Sequence, residues 1–521
     1  MLDSVQDKYP TVAIYLFDVA HGVDPIPAKE GKPNELSSVG KTVLERLNSK
    51  QYPRNVRMYS TLCFHTERAK CLRKGVLFED YEFPASKRSI YYSRKPDAKV
   101  VWKRPGEIVP APQFIAAGQS RFDVNQGNVG NCWFLAALVD LTLHDELFYR
   151  VVPPDQDFTK ENYAGIFHFQ FWRHGEWVDV VIDDRLPVFE ADSSLFFTYS
   201  KDPNEFWSAL LEKAYAKMNR SYEHLKLGYT NEALQDFTGG VTQHHIINSA
   251  THDLIFNLVS KHLKTSLFGV VPGPDEKEKL LENGLVRGHA YSVTAVERVV
   301  TKKGPVVLVR LRNPWGNEVE WAGRFSDNSA DWNDVPEKEL KDIEELTGLP
   351  MERGKAAALL EVAVHGSWSY LDRMTTARCY TPKGCNNPSV CLSECPQYLL
   401  TVKHDRGPTV PKDWVFPMEP VFISLLQKHR RELKHKGART LRTGLLIYNA
   451  PKGTKSRVDA TFIMQNKTHR YQQRTALYYL REYTVQTELL PGDYIVIPFK
   501  AECYWDCDFL LRIFSEANLQ L

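Results

Sequence analysis

A glycine-bearing loop that runs directly into an apolar segment constrains this chain more than any other feature. The stretch from Gln126 to Leu138 carries two glycines, then Asn131, then a single cysteine, Cys132, ahead of Trp133 and a run of apolar residues. If that run is a helix, Cys132 lies in its first turn, where unpaired backbone N–H groups and the helix dipole favour a thiolate. The amide of Gln126 can then supply an oxyanion donor. The alternative is a buried structural cysteine, because free cysteine is among the most buried residue types.

Two later residues supply partners for a nucleophilic cysteine. His289 follows Gly288 at the start of a predicted strand, and Asn313 follows the next predicted strand, just before Pro314 and Trp315. An imidazole can act as a general base, and an asparagine oxygen can fix the orientation of the ring. Taken singly, the histidine is more typical of a core residue and the asparagine of a turn. The order Cys, His, Asn is that of papain-like cysteine proteases, so the three together predict a catalytic triad.

Composition limits the classes of function. Hydrophobic residues make up 43% and charged residues 25% of the 521, which is typical of a globular protein large enough for about three domains. A formal net charge of +2 argues against nucleic acid as a partner. We find neither an apolar run long enough to span a bilayer nor a signal peptide, and nine cysteines are too few for a disulfide scaffold. We therefore expect a cytoplasmic protein without a transmembrane segment.

Hydrophobic periodicity places the main elements. It predicts one helix over residues 131–151, a hairpin of strands 166–172 and 176–182 turning at His174-Gly175, a helix over 206–218, and a hinge at the paired glycines of 237–241. Buried strands follow at 290–296 and 305–311. Beyond residue 349, short strands separated by turns predict an antiparallel sandwich, with strands at 396–402, 421–426, 443–448, 493–498 and 509–514.

With these residues in view, the chain resembles the calpain family. The matching stretches are 126–138, 163–167, 175–184, 204–217, 236–240, 284–293 and 312–327, with 364–368 and 509–516 in the C-terminal region. The resemblance implies an α+β fold: a papain-like two-subdomain cysteine protease core followed by an antiparallel β-sandwich of the calpain C2-like type. The implied divisions are an N-terminal extension, partly disordered, over 1–67, a helical first subdomain over 68–240 carrying the nucleophile, a β-rich second subdomain over 241–355, and the sandwich over 363–521.

The resemblance also implies a function, that of a calcium-dependent intracellular cysteine endopeptidase that makes limited cuts in protein substrates. By motif, Cys132 is the nucleophile, His289 the base, Asn313 the orienting residue and Gln126 the oxyanion donor. Ca²⁺ is the implied cofactor, since mixed carbonyl and carboxylate oxygens suit it. The implied ligands are the carbonyls of Ala116 and Gly118 with Asp123 and Glu205 at a first site, and Glu320 with Asp327 at a second.

The chain departs from the family pattern after Leu349. A segment that supplies further acidic ligands and a strand of the second subdomain is missing before the sandwich begins, so we expect an apparently truncated subdomain and an incomplete second calcium site. A catalytically impaired calpain-like binding or regulatory protein is therefore the alternative function. The resemblance is to atypical calpains lacking the penta-EF-hand domain, and we expect no small-subunit dimer through that module.

A basic stretch over residues 428–442 is the last feature that the resemblance does not explain. Seven lysines and arginines lie in it, where calpains carry an acidic loop. A solvated loop is one explanation, and peripheral contact with an anionic membrane surface or with an acidic partner is the other.

Overall fold

The computed structural model describes residues 11–16, 41–42, 56–93, 99–116, 118–120, 123–246, 252–262, 266–271, 279–315, 321–326, 329–336, 360–368, 392–393, 395–403, 419–454, 457–466, 470–471, 480–500, 507–515 and 518–521. These residues belong to two compact units, one ending at Gly354 and one beginning at Lys355. Within the described part of the chain, none of the helices has the length and apolarity needed to cross a bilayer.

The first unit contains helices and strands in roughly equal measure. Its helices are α1 (Phe64–Lys74), α2 (Lys87–Ile90), α3 (Pro105–Ile108), α4 (Cys132–Leu141), α5 (Asp145–Val151), α6 (Trp207–Met218), α7 (Thr230–Thr238) and α8 (His252–His262), with 3₁₀ turns at Tyr222–Leu225 and Ala330–Asp334. Its strands are β1 (Thr11–Leu16), β2 (Val56–Met58), β3 (Val100–Lys103), β4 (Ile166–Arg173), β5 (Glu176–Asp183), β6 (Leu186–Phe189), β7 (Val241–Ile246), β8 (Ser266–Val271), β9 (Lys279–Leu280), β10 (Val286–Arg287), β11 (Tyr291–Thr301) and β12 (Gly304–Arg312).

The largest sheet of this unit has the order β12-β11-β8-β1-β7 and is antiparallel throughout. Strand β1 lies between β7 and β8, although the sequence assigns its residues to the N-terminal extension. Strand β2, from the same region, pairs in parallel with β5. A short apolar run carries no local signal for partners this distant along the chain, which is why neither pairing is predicted.

Helices α4 and α6 form the centre of the first unit. Every residue of α6 is buried, and so is every residue of α4 after its first, Cys132. A helix that is apolar on all sides has to lie in the core, and α4 packs on α7 and on β11. This burial fixes the first residue of α4 at the edge of the core, against the large sheet.

The single helix predicted over 131–151 is two helices in the structure. Helix α4 ends where the backbone N–H groups of Leu143 and His144 bond three residues back, to Asp140 and Leu141, and the Thr142 hydroxyl bonds the Val139 carbonyl. Threonine competes in this way with the helical hydrogen-bond ladder. A new helix then begins at Asp145, whose carboxylate suits the positive end of a helix dipole.

The second unit is the antiparallel sandwich that the sequence predicts. Its two sheets have the orders β13-β20-β15-β18 and β17-β16-β19-β14-β21, and their inner faces share one apolar core. The strands are β13 (Leu360–Trp368), β14 (Tyr398–Lys403), β15 (Glu419–Gln427), β16 (Thr443–Asn449), β17 (Arg470–Tyr471), β18 (Glu482–Leu489), β19 (Gly492–Lys500), β20 (Cys507–Ser515) and β21 (Asn518–Gln520), with helix α9 (Ala460–Gln465) and a 3₁₀ turn at Lys434–Lys436.

The basic stretch of this unit is less exposed than its sequence indicates. Arg430 and Arg431 are each only 6% exposed, and the guanidinium of Arg430 donates to the carbonyl of Arg439. Two of the seven cationic side chains are therefore part of the folded structure of this unit and are not available on its surface. Lys436 and Arg439 remain exposed on the surface of the stretch.

Candidate active site

Cys132 occupies the first position of α4, as the sequence predicts. The carbonyl of Asn131, the N-cap residue, accepts hydrogen bonds from the N–H groups of Phe134 (2.8 Å) and Leu135 (3.1 Å), which starts the helix. The thiol is not part of a disulfide and is half-buried. Its position gives the sulfur the electrostatic environment of a helix N-terminus.

The loop before Cys132 is held against the segment 196–199. A side chain at Gly127 would meet the backbone of Phe197 at 2.3 Å, so only glycine fits there. The N–H of Asn128 bonds the carbonyl of Phe196 (3.0 Å), and the N–H of Asn125 bonds the carbonyl of Tyr199 (3.0 Å). The loop is therefore rigid on the side that leads to the nucleophile.

His289 and Asn313 meet as a hydrogen-bonded pair. The Nε2 atom of His289 lies 2.9 Å from Oδ1 of Asn313, which also accepts the backbone N–H of Trp315 at 3.0 Å. Because this oxygen can only accept, the His289 proton lies on Nε2, and Nδ1 is the acceptor. The Trp315 ring packs 4.5 Å from the imidazole, and His289 is fully buried. The indole thus covers the hydrogen bond.

Two hydrogen bonds bring the cysteine segment and the histidine–asparagine segment together. The hydroxyl of Ser292, on β11, donates to the carbonyl of Ala136, on α4, at 2.7 Å. The backbone N–H of Gln126 donates to the carbonyl of Pro314 at 3.1 Å. The helix that begins at Cys132 is consequently fixed to the strand that follows His289, and the loop before it to the residue after Asn313.

The side chain of Gln126 lies beside this loop. Its Nε2 donates one hydrogen to the carbonyl of Val129 at 3.0 Å. An amide nitrogen carries a second hydrogen, and an oxyanion donor needs only one. The structure therefore leaves the predicted role of Gln126 chemically feasible while tying the amide to its own loop.

The carboxylates of Asp123 and Glu205 come together, as the predicted first calcium site requires. Both side chains are buried, and the Glu205 carboxyl lies within hydrogen-bonding reach of Asp123. Asp123 accepts the N–H of Ser120 (2.6 Å) and the indole N–H of Trp207 (3.3 Å). Loss of water raises the pKa of both carboxyl groups, and the charge of Asp123 raises that of Glu205 further.

Ala116, another predicted ligand of this site, is tied to the carboxylates by its own backbone. Its N–H donates to Oε1 of Glu205 at 2.7 Å, and the hydroxyl of Ser200 donates to the other oxygen at 2.8 Å. Gly118 adopts a positive φ of 90° two residues later. Two facing carboxylates deprived of water are a favourable environment for a hard cation, so the donor set fits calcium.

The predicted second calcium site cannot be compared with the structure. Glu320 and Asp327 lie outside the described residues, as does the segment after Leu349 where the chain departs from the family pattern. Among the residues that are described, His, Cys, Asp and Glu do not gather in groups of three that can hold a metal. Calcium at the first site would consequently depend on carbonyl oxygens in addition to the two carboxylates.

Two residues of the site have no role in the sequence prediction. Ser292 joins the helix to the strand, and Glu212 accepts a hydrogen bond from Asn131, the residue before the nucleophile. A glutamate inside the apolar run of α6 is a signal of a buried, functional carboxylate. Serine at position 292 gives no comparable signal.

A thiol at the N-terminus of a helix that packs on β11, the strand following the histidine of a hydrogen-bonded His–Asn pair, defines a papain-like cysteine-protease core, here in one chain with a β-sandwich. Comparison with known proteins gives the same class. The model for "Calpain family cysteine protease" matches residues 78–349, and that for "Calpain large subunit, domain III" matches residues 364–514. Calpain clp-4 of Caenorhabditis elegans is 41% identical over 497 residues, which cover 88% of this chain and 68% of that protein. Mouse Calpain-9 is 42% identical over 488 residues, covering 87% and 67%. The chain belongs to the calpain family.

Proposed function

We propose that this chain is a calcium-regulated cysteine endopeptidase. The observation that carries the proposal is the His289–Asn313 pair, fixed by the Ser292–Ala136 hydrogen bond against the helix that begins at Cys132. A structural cysteine has no need of an oriented, indole-covered imidazole just before the strand on which its helix packs. The arrangement has the roles of a triad: nucleophile, base and orienting group.

Acylation follows from these positions. The Nδ1 atom of His289 takes the proton of the Cys132 thiol. The resulting thiolate attacks the carbonyl carbon of the scissile peptide, and the π electrons move to the oxygen. The Cys132 backbone N–H and the second amide hydrogen of Gln126 stabilise that oxyanion. When the carbonyl re-forms, the C–N bond breaks, and the leaving amine takes the proton of the His289 imidazolium.

Deacylation uses the same groups in reverse. His289 takes a proton from water, and the resulting hydroxide attacks the thioester carbonyl. The C–S bond breaks, the carboxylic acid product leaves, and the thiolate–imidazolium pair is restored. Throughout, Asn313 Oδ1 holds the ring by accepting the N–H of Nε2, so that Nδ1 stays on the side of the nucleophile.

Regulation by calcium is the second part of the proposal. Asp123 and Glu205, with the carbonyls of Ala116 and Gly118, would hold the ion. Calcium, when bound, supplies a fixed positive charge that offsets two carboxylates deprived of water. Trp207, which donates to Asp123, is the first residue of α6 and connects this site to the core helix beside the nucleophile loop. A second ion at Glu320 and Asp327 remains part of the proposal.

The setting proposed is the cytoplasm, with proteins as substrates. All five cysteines in the described part of the chain are free thiols, which suits a reducing compartment. A half-buried nucleophile at a helix N-terminus also needs a reducing environment to stay reduced.

The experiment that tests the function is calcium-stimulated autolysis and casein cleavage by the wild type and by Cys132→Ala. The proposal predicts cleavage by the wild type and none by the variant. Cleavage by Cys132→Ala would overturn it. No cleavage by the wild type, together with a Cys132 that fails to react with iodoacetamide in calcium, would overturn it too and would support the alternative of a binding protein without catalysis.

A further inference from the structure

Glu212 is a buried carboxylate near the middle of the core helix α6. Its side chain is 1% exposed. A buried carboxylate is usually paired with a cation, but the partners described for the Glu212 oxygens are an amide and a backbone N–H. Burial raises its pKa to about 7, against the hydrogen bonds that lower it. An apolar residue at this position would avoid the cost of removing a carboxylate from water. The residue therefore has a purpose other than packing.

The two hydrogen bonds of Glu212 point to that purpose. Oε1 accepts the side-chain N–H of Asn131 at 2.6 Å, and Oε2 accepts the backbone N–H of Thr198 at 2.9 Å. Asn131 immediately precedes Cys132, and Thr198 belongs to the segment that holds the nucleophile loop. One carboxylate thus fixes both sides of the turn that presents the thiol.

The side chain of Asn131 is not used as an ordinary helix cap. Asparagine at an N-cap usually accepts a backbone N–H of the first turn, but Asn131 makes no such bond. Its amide is directed to Glu212, and its Oδ1 is buried without a hydrogen-bond partner. The cap thereby forgoes stability, and among the described residues Glu212 is the hydrogen-bond partner that orients the Asn131 side chain.

We propose that Glu212 is a positioning residue for the cysteine-protease reaction: through Asn131 it fixes the Cys132 backbone and thiol relative to His289. This inference rests on the proposed function, since it concerns the geometry of the nucleophile. It assigns Glu212 no contact with the substrate. The residue acts by holding the start of α4 in a single orientation. Small displacements of a reacting group strongly reduce the rate of the chemical step.

Complementary substitutions test the inference. In Glu212→Gln, the new amide N–H faces another donor, either the Asn131 amide or the Thr198 N–H, so one of the two hydrogen bonds is lost. In Asn131→Asp, two carboxylates oppose each other. In the double variant Asn131→Asp/Glu212→Gln, the amide introduced at position 212 donates to the carboxylate introduced at position 131, and its oxygen accepts the Thr198 N–H. Both hydrogen bonds therefore return, with the direction reversed in one.

The measurement is the rate of iodoacetamide labelling of Cys132 in calcium as a function of pH, together with Tm. We compare plateau rates at alkaline pH, because the carboxylate placed beside Cys132 in the double variant shifts thiol ionisation upward. Each single variant should lower the plateau by about tenfold or more, and the double variant should recover most of that loss. The control variant is Glu482→Gln, which replaces a buried carboxylate of the sandwich. Its Cys132 should be labelled at the wild-type rate.

Two results would overturn the inference. One is a Glu212→Gln variant that labels at the wild-type plateau. The other is a double variant that regains Tm without regaining rate, as a merely structural role would give. A wild-type Cys132 that is itself no more reactive than a thiol in water would refute the proposed function and the inference with it. If only the inference fails, the wild-type Cys132 is still more reactive than such a thiol, so the two failures are distinguishable.

Discussion

The hydroxyl of Ser292 donates a 2.7 Å hydrogen bond to the carbonyl of Ala136, and this contact joins the strand after His289 to the helix that begins at Cys132. Both partners are completely buried. The bond lies one helical turn from the nucleophile and three residues from the base. It therefore helps to set the distance between them.

Ser292→Ala should therefore reduce activity more than it reduces stability. The lost hydrogen bond should lower the free energy of unfolding by about 1 kcal/mol, while kcat falls because α4 and β11 are free to shift. Kinetics on a peptide substrate and thermal unfolding measure the two effects. Ser515→Ala removes the matching serine-to-carbonyl bond of the sandwich and should spare kcat. An unchanged kcat in Ser292→Ala would contradict the prediction.

Asp140, one turn beyond Ala136, should make stability fall as pH rises. Burial raises its pKa well above the usual range, so the folded state keeps a proton that the unfolded chain loses above about pH 4. The isosteric neutral variant Asp140→Asn should remove this dependence and gain stability over the wild type as pH increases. Urea unfolding at pH 5 and pH 8 checks the sign. An Asp140→Asn variant whose advantage shrinks with pH would disprove it.

His168 should be a cation at neutral pH. Nδ1 lies 2.7 Å from Asp179 and Nε2 2.9 Å from Asp155, and a neutral imidazole has only one N–H to offer. Burial opposes the charge, but the two carboxylates raise its pKa from 6.5 to about 10. The resulting stability is fully present below about pH 6.5 and is lost as pH rises through about 10.

An NMR titration of labelled histidine checks that assignment. The His168 ring should remain doubly protonated at pH 8, and Asp155→Asn should move its titration to lower pH because one of the two carboxylate charges is gone. A wild-type His168 that titrates below pH 7 would show that the imidazole is neutral in the fold.

Replacement of Leu227 by glycine should stabilise the protein. Its φ of 58° lies in the left-handed region, which costs a leucine on the order of 1 kcal/mol, and its side chain is exposed. Its N–H bond to Gly130 holds it there. Leu227→Gly should raise Tm, whereas Leu280→Gly, at an exposed strand position, should lower it. An equal decrease of Tm in both variants would show that the backbone at Leu227 is not strained.

The sequence identifies the three residues of the proposed triad because each lies next to the start or end of an element with its own local signal. Cys132 follows a glycine-bearing loop, His289 follows Gly288, and Asn313 precedes a proline. The hairpin at His174-Gly175 and the helix α6 are predicted for the same reason, since turn residues and three-and-four spacing are local patterns.

The contacts that align those residues are not local, and the sequence does not predict them. Ser292 and Ala136 are 156 residues apart, and Glu212 and Asn131 are 81 apart. Strand β1 joins the large sheet through partners far along the chain. Pattern and spacing identify which residues carry chemistry, but long-range packing decides how they are held.

Calcium titration of iodoacetamide labelling at Cys132 tests the central claim most directly, because it reports the reactive thiol and its regulation together. The wild type should label faster as calcium rises and return to its basal rate when the ion is chelated. Asp123→Ala should abolish the response, while Asp192→Ala, which removes a carboxylate fully exposed to solvent, should leave it intact. Labelling of the wild type that is independent of calcium would contradict the account.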